Sequence, residues 1–193
     1  MSRTNYIFVD YENVQETDLD RIANKPIKVT FILGERNKKL PVTLARKLLK
    51  YAGQVTLVDS GRSGRNALDL VLACCLGEAR NADPQGYFHI VSGDKDFDAL
   101  IGHLKDQGAL AARHATFGEI PVLMNLAEQL KLLANHFKVN RTGRPKKRKA
   151  LGSQIQAIFG KTLSPEEVEE TIHGLVTEKI ITFSGTGDVT YKN

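Results

Sequence analysis

Acidic side chains crowd three short stretches of this chain: Asp10 and Glu12 in IFVDYEN, Asp69 in GRNALDLVLACC, and Asp94, Asp96 and Asp98 in HIVSGDKDFD. Carboxylates held close together repel one another, and each raises the cost of ionising the next. Open solvent makes such crowding tolerable, and so does a cation shared among the oxygens. Mg²⁺ takes hard oxygen ligands, usually a few carboxylates plus waters and phosphate oxygens. Such an ion would neutralise the acids, activate water and stabilise charge on a phosphodiester. That chemistry needs neither Cys nor His. The five histidines, His89, His103, His114, His136 and His173, show no ligand spacing.

Whether the acids meet depends on the elements that carry them. Through the first 137 residues short apolar runs alternate with helical patterns. NYIFVD, IKVTFIL, QVTLVD, YFHIVSGD and GALAARHA read as strands, and helices are expected around 17–23, 41–51, 66–80, 97–107 and 123–135. Most of these strands are continuous apolar runs, as when both faces of a sheet are covered. The alternation predicts right-handed βαβ units, hence an α/β fold with a parallel sheet of about five strands flanked by helices. Open parallel sheets hold their working site beyond the carboxyl ends of the strands. Asp10 ends the first strand, Asp94 and Asp96 follow the fourth, and Asp69 begins the helix that leads into the fourth. Each has an ordinary alternative: a turn former for Asp10 and Asp94, a dipole partner for Asp69, a helix cap for Asp96 or Asp98. Four carboxylates from three segments at one sheet edge are better explained together, by a divalent cation.

At 193 residues, 41% hydrophobic and 25% charged, the chain has room for one ordinary domain and a small second one. Its longest apolar run, Leu70 to Leu76, is too short to span a bilayer. The opening MSRTNYIFVDYEN lacks a signal-peptide pattern, which predicts a cytoplasmic protein without membrane contact. The only cysteines, Cys74 and Cys75, are neighbours, expected to pack in a core rather than to bridge.

The net charge of +5 is uneven. Residues 1–137 hold 17 Lys and Arg against 16 Asp and Glu, and 138–150 hold seven basic residues and no acid. Residues 151–193 hold three basic against six acidic. This predicts a first domain over 1–137, a basic linker over 138–150 and a small domain over 151–193. In the last, LGSQIQAIF reads as a helix, and SPEEVEETIHGLVTEK as another with a Ser cap and Pro at its first position. IITFSGTGDVTYKN reads as a β-hairpin, which completes a winged-helix-like order. Its acidic balance disfavours phosphate and favours a protein partner or self-association through 151–193.

FVDYENV, ALD and VSGDKDFDALIGHLKDQG, in that order, resemble the signature of the NYN branch of the PIN-like nucleases over roughly residues 5–137. The resemblance implies an acidic Mg²⁺ or Mn²⁺ site that hydrolyses nucleic-acid phosphodiesters, usually RNA. It implies metal-binding and catalytic roles for Asp10, Asp69, Asp94 and Asp96, with Asn13 and Ser92 in support. Asp98 corresponds to no fixed acid of that family and is expected to face solvent, behind the ligands or at the helix start. By position, Arg62 and Arg65 in GRSGRN are candidates to grip substrate. Arg144, Lys146, Lys147, Arg148 and Lys149 are candidates for a phosphate-binding tether, with a merely solvated charge run as the alternative. Two other readings stay open. One is an inactive PIN-like adaptor that binds RNA without cutting it. The other is a phosphatase of the haloacid-dehalogenase type, because GDKDFD fits Gly-Asp-x-x-x-Asp. That type carries Asp-x-Asp after its first strand, where this chain has Asp10-Tyr11-Glu12.

Overall fold

The computed structural model describes residues 3–37, 39–61, 64 and 66–192. The chain divides into two compact units, Met1–Leu123 and Met124–Asn193. In the first unit, β1 (Asn5–Asp10), β2 (Ile27–Leu33), β3 (Val55–Asp59), β4 (Tyr87–Val91) and β5 (Leu110–His114) form one sheet. All neighbours pair in parallel, in the spatial order β3-β2-β1-β4-β5. The connections carry α1 (Val42–Lys50), α2 (Ala67–Ala82) and α3 (Phe97–Asp106). This is the α/β architecture that the alternation predicts.

Successive strand residues point to opposite faces and feed two cores. Ile7, Val9, Val29 and Phe31 pack with Leu44 of α1 and with Phe117 and Ile120. Phe8, Ile32, Phe88 and Ile90 pack with Leu72 and Leu76 of α2 and with Ile101 and Leu104 of α3. Coverage on both faces is why the strands read as unbroken apolar runs.

Two local expectations are corrected. Helix α2 buries one stripe, Leu68, Leu72 and Leu76, while Leu70 and Cys74 are exposed. Four-residue spacing selects one helix face, so only Cys75 packs against the core. The helix expected at 17–23 is a single 3₁₀ turn, Leu19–Ile22, opened by the Asp18 side chain accepting from the Asp20 N–H. Asn24 at φ 59° turns the chain out of it just before Pro26 and β2.

In the second unit, α4 (Leu126–Val139), α5 (Arg148–Ile158) and α6 (Pro165–Thr177) precede an antiparallel hairpin of β6 (Ile181–Phe183) and β7 (Val189–Tyr191). Leu130, Leu133 and Phe137 of α4 pack with Leu151, Ile155, Ile172, Leu175 and Ile181. Charge counting grouped α4 with the first domain, because it does not report which core an amphipathic helix joins. Lys147 bridges Asp188, and the Val189 N–H donates to the Lys146 carbonyl, so the stretch before α5 joins the returning strand. Three helices, a bridging segment and a hairpin follow the winged-helix order. Helix α6 starts as its sequence predicts, with Pro165 in the first turn and a reciprocal Ser164–Glu167 capping box. Among the described residues no helix is long and apolar enough to cross a membrane.

Candidate active site

The strand order reverses at β1, with β2 and β3 on one side and β4 and β5 on the other. Loops leaving β1 and β4 diverge there, which opens a crevice at the carboxyl edge of such a sheet. A cleft of about 300 Å³ is lined by Asp10, Glu12, Arg36, Asn66, Asp69 and Asp94. Three of the four candidate ligands share it.

Asp10 is the best-held acid. It is 1% exposed, and its carboxylate accepts from Ser92 Oγ at 2.8 Å, Asn13 Nδ2 at 2.6 Å and the Asn13 N–H at 3.3 Å. Three donors satisfy a buried charge that would otherwise be costly. The same Ser92 hydroxyl accepts from the Asp94 N–H at 3.0 Å, and Asp94 Oδ1 accepts from the Asp96 N–H at 2.9 Å. Ser92 thus joins the end of β1 to the turn after β4. Asn13 and Ser92 contact Asp10 directly, the geometry a supporting role requires.

Asp69 sits in the first turn of α2, behind Asn66 in the left-handed region at φ 64°. Its carboxyl pKa is raised, first by burial and then by the charges of Asp10, Asp94, Asp96 and Glu12. Those charges act on a common region. Asp96 begins α3 without a side-chain capping bond and is exposed, outside the cleft lining.

Asp98 is exposed as expected, yet it is not idle. Arg113 of β5 donates to it twice, at 2.7 and 3.2 Å, and once to the Ser92 carbonyl at 3.0 Å. The guanidinium draws the Asp98 carboxyl below the usual carboxylate range. Arg113 therefore clamps the turn that carries Asp94. The one signal for it in the sequence was a lone Arg inside GALAARHA.

The cleft also contains Glu12, an acid already evident beside Asp10, and Arg36, which sequence reasoning passed over. Glu12 accepts from the Arg36 N–H at 3.2 Å. A Cβ on Gly34 would lie 2.1 to 2.6 Å from three atoms of the Glu12 side chain, so glycine allows this close approach. Arg36 lies on the loop after β2, at the same carboxyl edge. Its available signal was that position, beside β1.

His114 does not enter the cleft lining. Its Nε2 lies 3.1 Å from His89 Nδ1, and His89 Nε2 lies 2.9 Å from Asn5 Oδ1. With the Asn5 oxygen as acceptor, His89 donates from Nε2 and His114 from Nε2. Burial lowers both imidazole pKa values, His114 to about 4.

The basic candidates separate. Arg62 and Arg65 lie outside the described residues. Arg144 donates to the Phe137 carbonyl at 2.7 Å and stacks over Tyr191. Lys147 pairs with Asp188 at 2.7 Å, and Arg148 pairs with Glu169 and covers Phe183. These three brace the second unit. Lys146 and Lys149 are exposed, and among the described residues their ammonium groups have no such partner.

Among the described residues no three Asp, Glu, His or Cys side chains are grouped closely enough to hold a metal ion. Asp10, Glu12, Asp69 and Asp94 line one cleft without forming such a group among the described residues. The donors still suit the ion in kind, since Mg²⁺ retains several waters and needs only one or two direct carboxylates.

Comparisons with curated proteins and with solved structures returned no match. A family model of the PIN domain matches residues 4–114, from just before β1 to the last residue of β5. More than half of the sequence lies in that match, and it holds every acid of the cleft: the chain belongs to the PIN domain family.

Proposed function

We propose that this chain is a metal-dependent nuclease of the NYN branch that hydrolyses RNA phosphodiesters in the cytoplasm. The observation that carries the reading is the convergence of Asp10, Asp69 and Asp94, from three separate segments, on one cleft. PIN domains are typically nucleases and generally use divalent metals. Asp69 adds physical weight, because a carboxylate burdened by burial and four neighbouring acids is costly unless the site uses it.

A bound Mg²⁺ or Mn²⁺ supplies positive charge and Lewis acidity to water and phosphodiester oxygens. Asp10, fixed by Ser92 and Asn13, would be the rigid ligand, with Asp94 and Asp69 approaching from the β4 turn and α2. Asp96 would contribute an outer oxygen from the start of α3.

Labelled single- and double-stranded RNA and DNA, incubated with Mg²⁺, Mn²⁺ or EDTA, test this directly. Defined products from RNA with metal, and none with EDTA, are expected. Undiminished cleavage in chelator overturns the metal mechanism. One observation favours a second reading, the inactive adaptor: Asp96, the fourth candidate ligand, is exposed and outside the cleft lining. RNA binding with no cleavage under any metal would establish that reading instead.

In the second unit α6 exposes Glu166 and Glu170, and Glu178 is exposed just past its end. That face repels phosphate, so a protein partner or self-association is proposed for it. Lys146 and Lys149 remain as the phosphate-contacting part of the basic stretch.

A further inference from the structure

Among the described residues that line the cleft, Arg36 is the cation. Its backbone is pinned: its N–H donates to the Glu12 carboxylate at 3.2 Å, and it lies within a turn closed from both ends. The Asn37 N–H donates to the Gly34 carbonyl at 3.0 Å, and the Gly34 N–H donates to Asn37 Oδ1 at 3.0 Å. The side chain is not pinned. Among the described residues the guanidinium forms no hydrogen bond or ion pair, although Asp10, Glu12, Glu35, Asp69 and Asp94 line the same cleft. A flexible arginine beside five carboxylates ordinarily collapses onto one of them. Here the turn holds the backbone while the charged end stays available.

We propose that Arg36 is the substrate-phosphate anchor of this site. It would grip a non-bridging pair of oxygens on a phosphate next to the one being cut, through the parallel N–H groups of its guanidinium. This rests on the nuclease reading and deepens it. An acidic cleft repels a polyanion, and a metal offsets that only at the reacting phosphate. A second positive charge at the rim fixes which phosphate reaches the acids. No aromatic side chain lines the cleft among the described residues, so base stacking cannot supply that register there. Recognition through the backbone is independent of base sequence.

The test is binding of a short fluorescein-labelled single-stranded RNA in EDTA, followed by anisotropy across a salt series. Arg36→Ala should weaken binding about tenfold and reduce the salt slope by about 0.7. Arg36→Lys should restore the slope but only part of the affinity, because an ammonium cannot form the two-pronged contact. The exposed side chain has no partner to lose, so the melting temperature should not move. With metal present, Arg36→Ala should raise KM more than it lowers kcat. Unchanged affinity and slope in Arg36→Ala would overturn the proposal even in a protein that cuts RNA. Lost affinity in a protein that never cuts would uphold the anchor and remove the nuclease reading.

Discussion

Replacing Ser92 with alanine removes one hydroxyl at the junction of β1 and β4. Ser92 is 0% exposed, and its hydroxyl serves two partners, Asp10 Oδ2 at 2.8 Å and the Asp94 N–H at 3.0 Å. A hydrogen bond to a charged group contributes about 1.5–3 kcal/mol. Asp10 keeps its two Asn13 donors, so its charge is not orphaned. The Asp94 N–H is half-buried at the cleft, where water substitutes at a cost of about 1 kcal/mol or less. The sum is about 2–4 kcal/mol. At roughly 2–4 °C per kcal/mol for a chain of this size, the melting temperature should fall by about 4–16 °C. Urea unfolding by circular dichroism gives the free energy, and hydrogen exchange at β1 and β4 amides assigns the loss to the first unit. Mn²⁺ affinity by calorimetry should fall too, since both Asp10 and Asp94 lose their shared support. A variant within about 0.5 kcal/mol of the parent, with unchanged Mn²⁺ affinity, would show that Ser92 does not organise the site.

Asp69→Asn should raise the melting temperature of the metal-free protein and shrink the further rise on adding Mg²⁺ or Mn²⁺; an undiminished metal response would exclude Asp69 as a ligand. Asp94→Asn should lower turnover by orders of magnitude, whereas Asp98→Asn should stay within about tenfold, because Arg113 keeps its bond to the Ser92 carbonyl. The reverse ranking in cleavage rates would refute the assignment. His114 stays neutral down to about pH 4 in the fold, against 6.5 when exposed. The unfolded chain takes up that proton first, so stability should fall as pH drops from about 6.5 toward 4, by up to about 3 kcal/mol. His114→Gln should flatten the loss between about pH 7 and 5, and an equal slope in both proteins would contradict the buried pair. Neutralising Lys146 and Lys149 should flatten the salt dependence of RNA binding without altering stability, while Arg144→Ala should destabilise the second unit. The opposite pattern, read by anisotropy and melting, would mean the braces and the tether have been exchanged.

The strands and their acids were legible in the sequence for local reasons. A strand covered on both faces is an unbroken apolar run, and the first acid after it marks the carboxyl edge. Asp10 and Asp94 are located that way by sequence alone, and Ser164, Pro165 and Glu167 announce α6 through contacts only three residues apart. What lay beyond local reach depended on strand order and on the choice of core. Only the order β3-β2-β1-β4-β5 brings the loop after β2, with Arg36, beside Glu12. Only the pairing of β5 with β4 sets Arg113 against Asp98 and the Ser92 carbonyl. Neither guanidinium leaves a periodic trace, because its partner is chosen by tertiary packing rather than by spacing. The basic stretch shows the same division. Its charge was plain in the sequence, but the hairpin's return beside Lys147 turned Arg144, Lys147 and Arg148 into braces. The acids, too, were countable as letters, while only the packing of α2 against the sheet brings Asp69 into the cleft with Asp10 and Asp94.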